Sequence, residues 1–199
     1  MEKTVILASA SPSRAAVLRN AGVGILCDPA AIDEEAVKNS FRKENGTAAQ
    51  VAEVLAELKA QRVSQRHEGA LVIGADQMLQ CGGVWFDKPV DMDHARAHLL
   101  ALRGKTHELL SAVCIVRDGQ CLWRHQESAR LTMRPFSDAF LDGYLGATGT
   151  AVCQSVGAYR LEDRGAQLFS RIEGDYFTVL GLPLQPLLGF LMDQGVVTA

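Results

Sequence analysis

The chain predicts an α/β fold with a mixed, twisted sheet flanked by helices. Three observations predict it. Apolar runs of strand length interleave with helical stretches, the chain opens with a strand that runs straight into a helix, and one strong antiparallel hairpin signal lies in mid-chain. The 199 residues fit a single domain over 1–199, long enough to bury a real core. Hydrophobic residues make up 48% and charged residues 22%, which excludes disordered and fibrous classes.

Taken in order, Thr4–Ala8 is a short apolar run suited to a buried strand. Ser11 then reads as an N-cap, Pro12 takes the first helical position and Gly22 closes the helix, so Ser11–Ala21 is helical. Gly24–Pro29 reads as a second strand. Thr47-Ala-Ala-Gln50 has capping-box spacing and starts a periodic helix to Ser64, with Val51, Val54, Leu55 and Leu58 on the packed face. Ala70–Gly74 is a buried strand, Cys81-Gly-Gly-Val84 a tight turn, and Asp91–Leu102 a helix. Two alternating runs, His107–Val116 and Cys121–Met133, flank Asp118-Gly119, the hairpin signal. Ser137 caps a helix through Tyr144, Gln167–Ile172 alternates like a strand, and Leu184–Gln194 is a last helix closed by Gly195.

A net charge of −3 argues against sequence-independent binding to nucleic acid. Any polyanionic ligand must meet a local basic cluster. No apolar run reaches membrane-spanning length, and the short apolar stretch near the N-terminus suits a strand better than a signal peptide. The five cysteines are scattered and form no CxxC pair, so they read as buried or half-buried free thiols of a reducing, cytoplasmic compartment.

The candidate chemistry begins at Ser9-Ala-Ser-Pro-Ser-Arg14. A helix N-terminus offers unpaired N–H groups to a phosphate, Ser9 and Ser11 add hydroxyl donors, and Arg14 can reach back in bidentate fashion. From spacing alone, Ser11 as a simple cap and Arg14 as a solvated side chain are the more common case. The turn carries neither GxxxxGK[ST] nor GxGxxG. Asp76, following a buried strand, is placed to activate water or hold a cation; the alternative is a turn aspartate that satisfies local N–H groups. Asp33-Glu34-Glu35 reads as a loop, either a solvated acidic cluster or a helix N-terminal charge. Lys59 falls on the polar side of its helix, and Lys88 and Lys105 lie in loops. Each lysine alone reads as surface, and His107 reads as structural.

Together these segments resemble the Maf family of nucleotide pyrophosphatases. The likeness runs through LASASPSR (7–14), IDE (32–34), ELKA around Lys59, VIGADQ (72–77), DKP (87–89), LRGKTHE (102–108), GAY (157–159) and IEGDYFTVLGLPL (172–184), in family order. The resemblance implies a Maf/inosine-triphosphatase-like fold with two lobes around a cleft. It implies hydrolysis of a nucleoside triphosphate to the monophosphate and pyrophosphate with a divalent cation, Mg2+ or Mn2+. It places Ser9, Arg14, Lys59 and Lys88 at phosphate-binding positions, Asp76 at the catalytic carboxylate and Glu34 at an acidic position assisting the metal. Ser13 stands where the family commonly has a second arginine. Gln77 and Glu162 resemble the branch that cleaves 7-methyl-GTP more than the dTTP/UTP branch, and a carboxylate suits the guanine N1–H and exocyclic amine. The family likeness also carries a homodimer and, as another class of function, a nucleotide-binding regulator of cell division.

Overall fold

The computed structural model describes residues 3–197. Its strands are β1 (Val5–Leu7), β2 (Leu26–Cys27), β3 (Leu71–Cys81), β4 (Val84–Phe86), β5 (Thr106–Arg117), β6 (Gln120–Met133) and β7 (Phe169–Glu173). Its helices are α1 (Pro12–Asn20), α2 (Glu34–Lys43), α3 (Ala48–Ser64), α4 (Met92–Leu102), α5 (Asp138–Thr148), α6 (Tyr176–Val179) and α7 (Leu184–Asp193), with three 3-10 turns between Gly149 and Leu168. The seven-stranded sheet has the order β2-β1-β3-β5-β6-β7, with β4 paired to β3. It is mixed: β1 runs parallel to β2 and β3, while β3–β4 and β6–β7 are antiparallel.

The chain divides into two compact units. The first takes the described parts of Met1–Gln77, Leu110–Glu127 and Tyr176–Ala199; the second takes Met78–Leu109 and Ser128–Asp175. In the first unit, Val5 and Leu7 of β1, Leu18 of α1, Ile73 of β3, Ile115 of β5 and Leu187 and Leu191 of α7 form one buried core. Burying each such side chain contributes about 1.5–3 kcal/mol. The β5–β6 hairpin turns at Asp118 (φ 50°) and Gly119 (φ 76°), the paired left-handed conformations of a type I′ turn.

In the second unit, His107 is 1% exposed. Its Nε2 lies 2.7 Å from the Tyr159 hydroxyl, and its Nδ1 has no hydrogen-bond partner. Burial lowers its pKa to about 4, so the ring is neutral near pH 7 and packs against Tyr159 and Phe169.

Several elements differ from the sequence expectation. Strand β3 continues seven residues beyond Gly74, so Asp76 and Gln77 sit inside a strand rather than in a turn after it. The Asp33–Glu35 segment opens a helix: the Asp33 side chain accepts from Ala36 N–H, and Glu34 is the first residue of α2. On α3 the packed face holds Val51 and Leu55 as expected but is otherwise shifted. Leu58 is 37% exposed and Lys59 only 8%. The buried stripe is Ala48, Val51, Ala52, Leu55, Ala56, Lys59, Ala60, Val63 and Ser64, a helical repeat in which alanine recurs every four residues and marks the face weakly because its apolar surface is small. Among the cysteines, Cys27 is exposed rather than half-buried, while Cys114 is buried and the other three are intermediate.

Candidate active site

The first unit gathers most of the predicted site. Gly74 lets α3 lie close against β3. A Cβ at Gly74 would stand 2.0 Å from the Ala56 carbonyl oxygen and 2.7 Å from the Ala60 Cβ. This approach, three residues before Lys59 on the helix, brings Lys59 to Asp76 two residues further along the strand. Lys59 Nζ lies 2.5 Å from Asp76 Oδ1 and 2.8 Å from Glu34 Oε1. Two carboxylates from different elements thus converge on one buried ammonium. Burying such charges is costly unless they are paired, and here the pairing is complete.

Arg14 is anchored to the protein through two of its three guanidinium nitrogens. Its Nε donates to the Gly181 carbonyl at 2.8 Å, and its Nη1 donates to the Ala75 carbonyl at 2.9 Å and the Ser9 hydroxyl at 3.1 Å. Nε and Nη1 are thus engaged by protein acceptors. The guanidinium ties together the β1–α1 turn, the residue before Asp76 and the Gly181 turn. Burial lowers its pKa, and the nearby Asp76 and Glu34 charges oppose that shift.

Ser9 Oγ also accepts from Ser11 N–H at 3.2 Å, and Ser11 Oγ accepts from Arg14 N–H at 3.4 Å as the N-cap of α1. A hydroxyl that accepts from its own protein keeps its proton for an outside acceptor. Both serines can therefore still donate to an anion in front of the helix.

Gln77 is likewise engaged. Its Nε2 lies within hydrogen-bonding distance of Ser111 Oγ (2.9 Å) and the carbonyls of Thr178 and Val179 (both 3.1 Å). Those carbonyls close the C-terminal end of α6, where helix acceptors lack internal partners. Its amide nitrogen is thus engaged by the protein, and its carbonyl oxygen faces Gly181.

Lys88 and Glu162 belong to the second unit. Lys88 is exposed in the loop between β4 and α4. Glu162 accepts from Arg160 Nε at 3.2 Å, so its charge is already partly balanced. Sequence reasoning missed Ser111, Thr178 and Gly181. The last two lie inside the resemblance segment 172–184, but nothing in their residue types announces that their carbonyls would be used.

Asp76 and Glu34 are the residues that would hold a divalent cation. Among the described residues no group of three or more His, Cys, Asp or Glu converges. The point on which their two oxygens converge is Lys59 Nζ itself, so a hard cation would have to use the remaining carboxylate oxygens and complete its shell with water and phosphate oxygens. No helix among the described residues is long and apolar enough to cross a membrane.

A protein from Paramagnetospirillum magneticum called nucleoside triphosphate pyrophosphatase is 62% identical over 96% of this chain and 98% of its own. One of the same description from Granulibacter bethesdensis is 51% identical over 98% of each. One from Mesorhizobium japonicum called 7-methyl-GTP pyrophosphatase is 49% identical over 99% of each. The profile described as Maf-like protein matches residues 4–194. The chain therefore belongs to the Maf-like protein family.

Proposed function

We propose that the protein hydrolyses a nucleoside triphosphate to the nucleoside monophosphate and pyrophosphate. The observation that carries this reading is Lys59, 8% exposed and clamped between Asp76 and Glu34. A lysine on an otherwise apolar helix face adds little to stability that an apolar residue would not, and its carboxylate partners are the groups that water activation on a polyphosphate requires.

Asp76 orients a water and takes its proton as the water oxygen bonds to the α-phosphorus. The bond from the α-phosphorus to the α–β bridging oxygen breaks, and that oxygen leaves with pyrophosphate. Lys59 offsets charge beside Asp76. Ser9, Ser11 and the N-terminus of α1 donate to phosphate oxygens, and Arg14 holds the Ala75 carbonyl and the Gly181 turn that frame them. Asp76 and Glu34 would hold a divalent cation, Mg2+ or Mn2+, which would further neutralise phosphate charge.

For the base, we favour 7-methyl-GTP, supported by the relatives so named and by the resemblance of Gln77 and Glu162 to that branch. A dTTP/UTP pyrophosphatase is the runner-up. Cytoplasmic residence and a homodimer belong to the same proposal and rest on the family resemblance.

The test is pyrophosphate release from canonical and modified triphosphates with Mg2+ or Mn2+. Asp76→Asn is expected to lose about 10²–10⁴-fold in kcat; full turnover refutes its role. Preference for dTTP or UTP over 7-methyl-GTP refutes the assignment of Glu162, as does a Glu162→Gln variant with unchanged preference.

A further inference from the structure

Glu127 lies on β6 in the first unit, in no segment of the family resemblance. Its side chain is 32% exposed, yet both its oxygens are used. Oε2 accepts from the Thr178 hydroxyl at 2.6 Å, and Oε1 lies 2.9 Å from His125 Nε2. His125 is held in turn by aromatic packing: its ring stacks on Trp123, which stacks on Phe190 of α7. With both carboxylate oxygens accepting, His125 donates through Nε2, and Glu127 is fixed between two donors.

Thr178 is fully buried. Its carbonyl accepts from the Ser111 hydroxyl at 2.8 Å and from Gln77 Nε2. It also accepts from Gly181 N–H at 3.0 Å. Gly181 presents the carbonyl that Arg14 Nε uses, and Arg14 holds the Ala75 carbonyl next to Asp76. The helix that carries Thr178 is a single turn of four residues, too short to hold itself in water. Its position depends on side-chain fasteners, and the shortest of those is the charge-assisted bond from Thr178 to Glu127.

We infer that Glu127 is a positioning residue for the site: through the Thr178 hydroxyl it fixes α6, and so the carbonyls that orient Gln77 and Arg14. The catalytic part of this inference rests on the pyrophosphatase reading; the structural part does not.

The experiment pairs kinetics with NMR of the Gln77 side-chain amide in full-length wild type and in Glu127→Ala, Thr178→Val and Glu127→Gln, all below their unfolding temperatures. In Glu127→Ala and Thr178→Val the Gln77 Nε2 protons are expected to lose protection from exchange, and kcat to fall about tenfold with KM changing less. Glu127→Gln keeps an acceptor for Thr178 and is expected to recover most of both. The double variant Glu127→Ala/Thr178→Val is expected to be no worse than either single. A merely structural fastener would lower the unfolding temperature while leaving kcat and the Gln77 amide of the folded protein unchanged, and that result overturns the inference. If wild type cleaves no triphosphate, the pyrophosphatase reading fails, and the Gln77 amide alone decides whether Glu127 positions it.

Discussion

Replacing Gly74 by alanine probes the contact that sets the Lys59–Asp76 distance. The new Cβ would lie 2.0 Å from the Ala56 carbonyl oxygen, 2.7 Å from the Ala60 Cβ and 3.0 Å from the Ala56 carbonyl carbon. The first contact is with backbone, so no rotamer change relieves it. Helix α3 must withdraw by roughly 1 Å or more to restore ordinary van der Waals separation. Overpacking of this kind costs about 1–3 kcal/mol. The 2.5 Å bond from Lys59 to Asp76 begins from that same helix, so it lengthens unless the lysine stem re-extends. A displacement of about 1 Å in a positioned group can lower turnover roughly 10²-fold. Urea unfolding is therefore expected to show a loss of about 1–3 kcal/mol. Pyrophosphate release by the folded fraction is expected to fall well beyond what that loss explains. Adding Ala60→Gly removes the 2.7 Å contact but not the 2.0 Å one, so the double variant is expected to remain impaired. Wild-type kcat/KM in Gly74→Ala, or full rescue by Ala60→Gly, would refute the reasoning.

Two further outcomes follow from buried groups in the fold. His107 has a folded pKa of about 4 against an ordinary 6.5, so between those values the unfolded chain binds a proton that the folded chain does not. Stability is then expected to rise with pH by about 3 kcal/mol across that window and level off above it. His107→Gln should flatten this part of the urea-midpoint profile, and an unchanged slope counts against the assignment. For the thiols, burial pushes the Cys114 pKa up to about 12, whereas Cys27 is exposed. A disulfide reagent is expected to modify Cys27 rapidly in the native state and Cys114 only on unfolding; peptide mapping by mass spectrometry reads the order, and early labelling of Cys114 would contradict its burial.

Much of the architecture is legible in the sequence where local chemistry dictates it. The Ser11 and Ser137 caps, the Thr47–Gln50 capping box and the Asp118-Gly119 turn all form as their residue types require. What local chemistry could not give was depth. A stripe of alanines hides the buried face of α3, so Lys59 looked solvated although it lies against Asp76. Gly74 looked like a strand terminus, whereas its missing side chain is what admits the helix. The residue types at Arg14 and Gln77 suggested ligand contacts and gave no sign that Nε and Nη1 of the one and Nε2 of the other would bond the carbonyls of residues 75, 178, 179 and 181. A backbone acceptor more than a hundred residues away leaves no trace in residue identity, so such commitments emerge only from the folded chain.

The Arg14–Gly181 bond spans 167 residues of sequence, which bears on the order of assembly. Arg14 enters a nascent chain 167 residues before its acceptor. Until Gly181 arrives, the guanidinium must stay hydrated, because burying it with an empty hydrogen-bonding position would cost more than packing around it gains. The β1–α1 turn therefore reaches its final form as one of the last events of folding. A fragment ending before Gly181 is expected to keep its early helices yet lack an ordered Ser9–Arg14 turn.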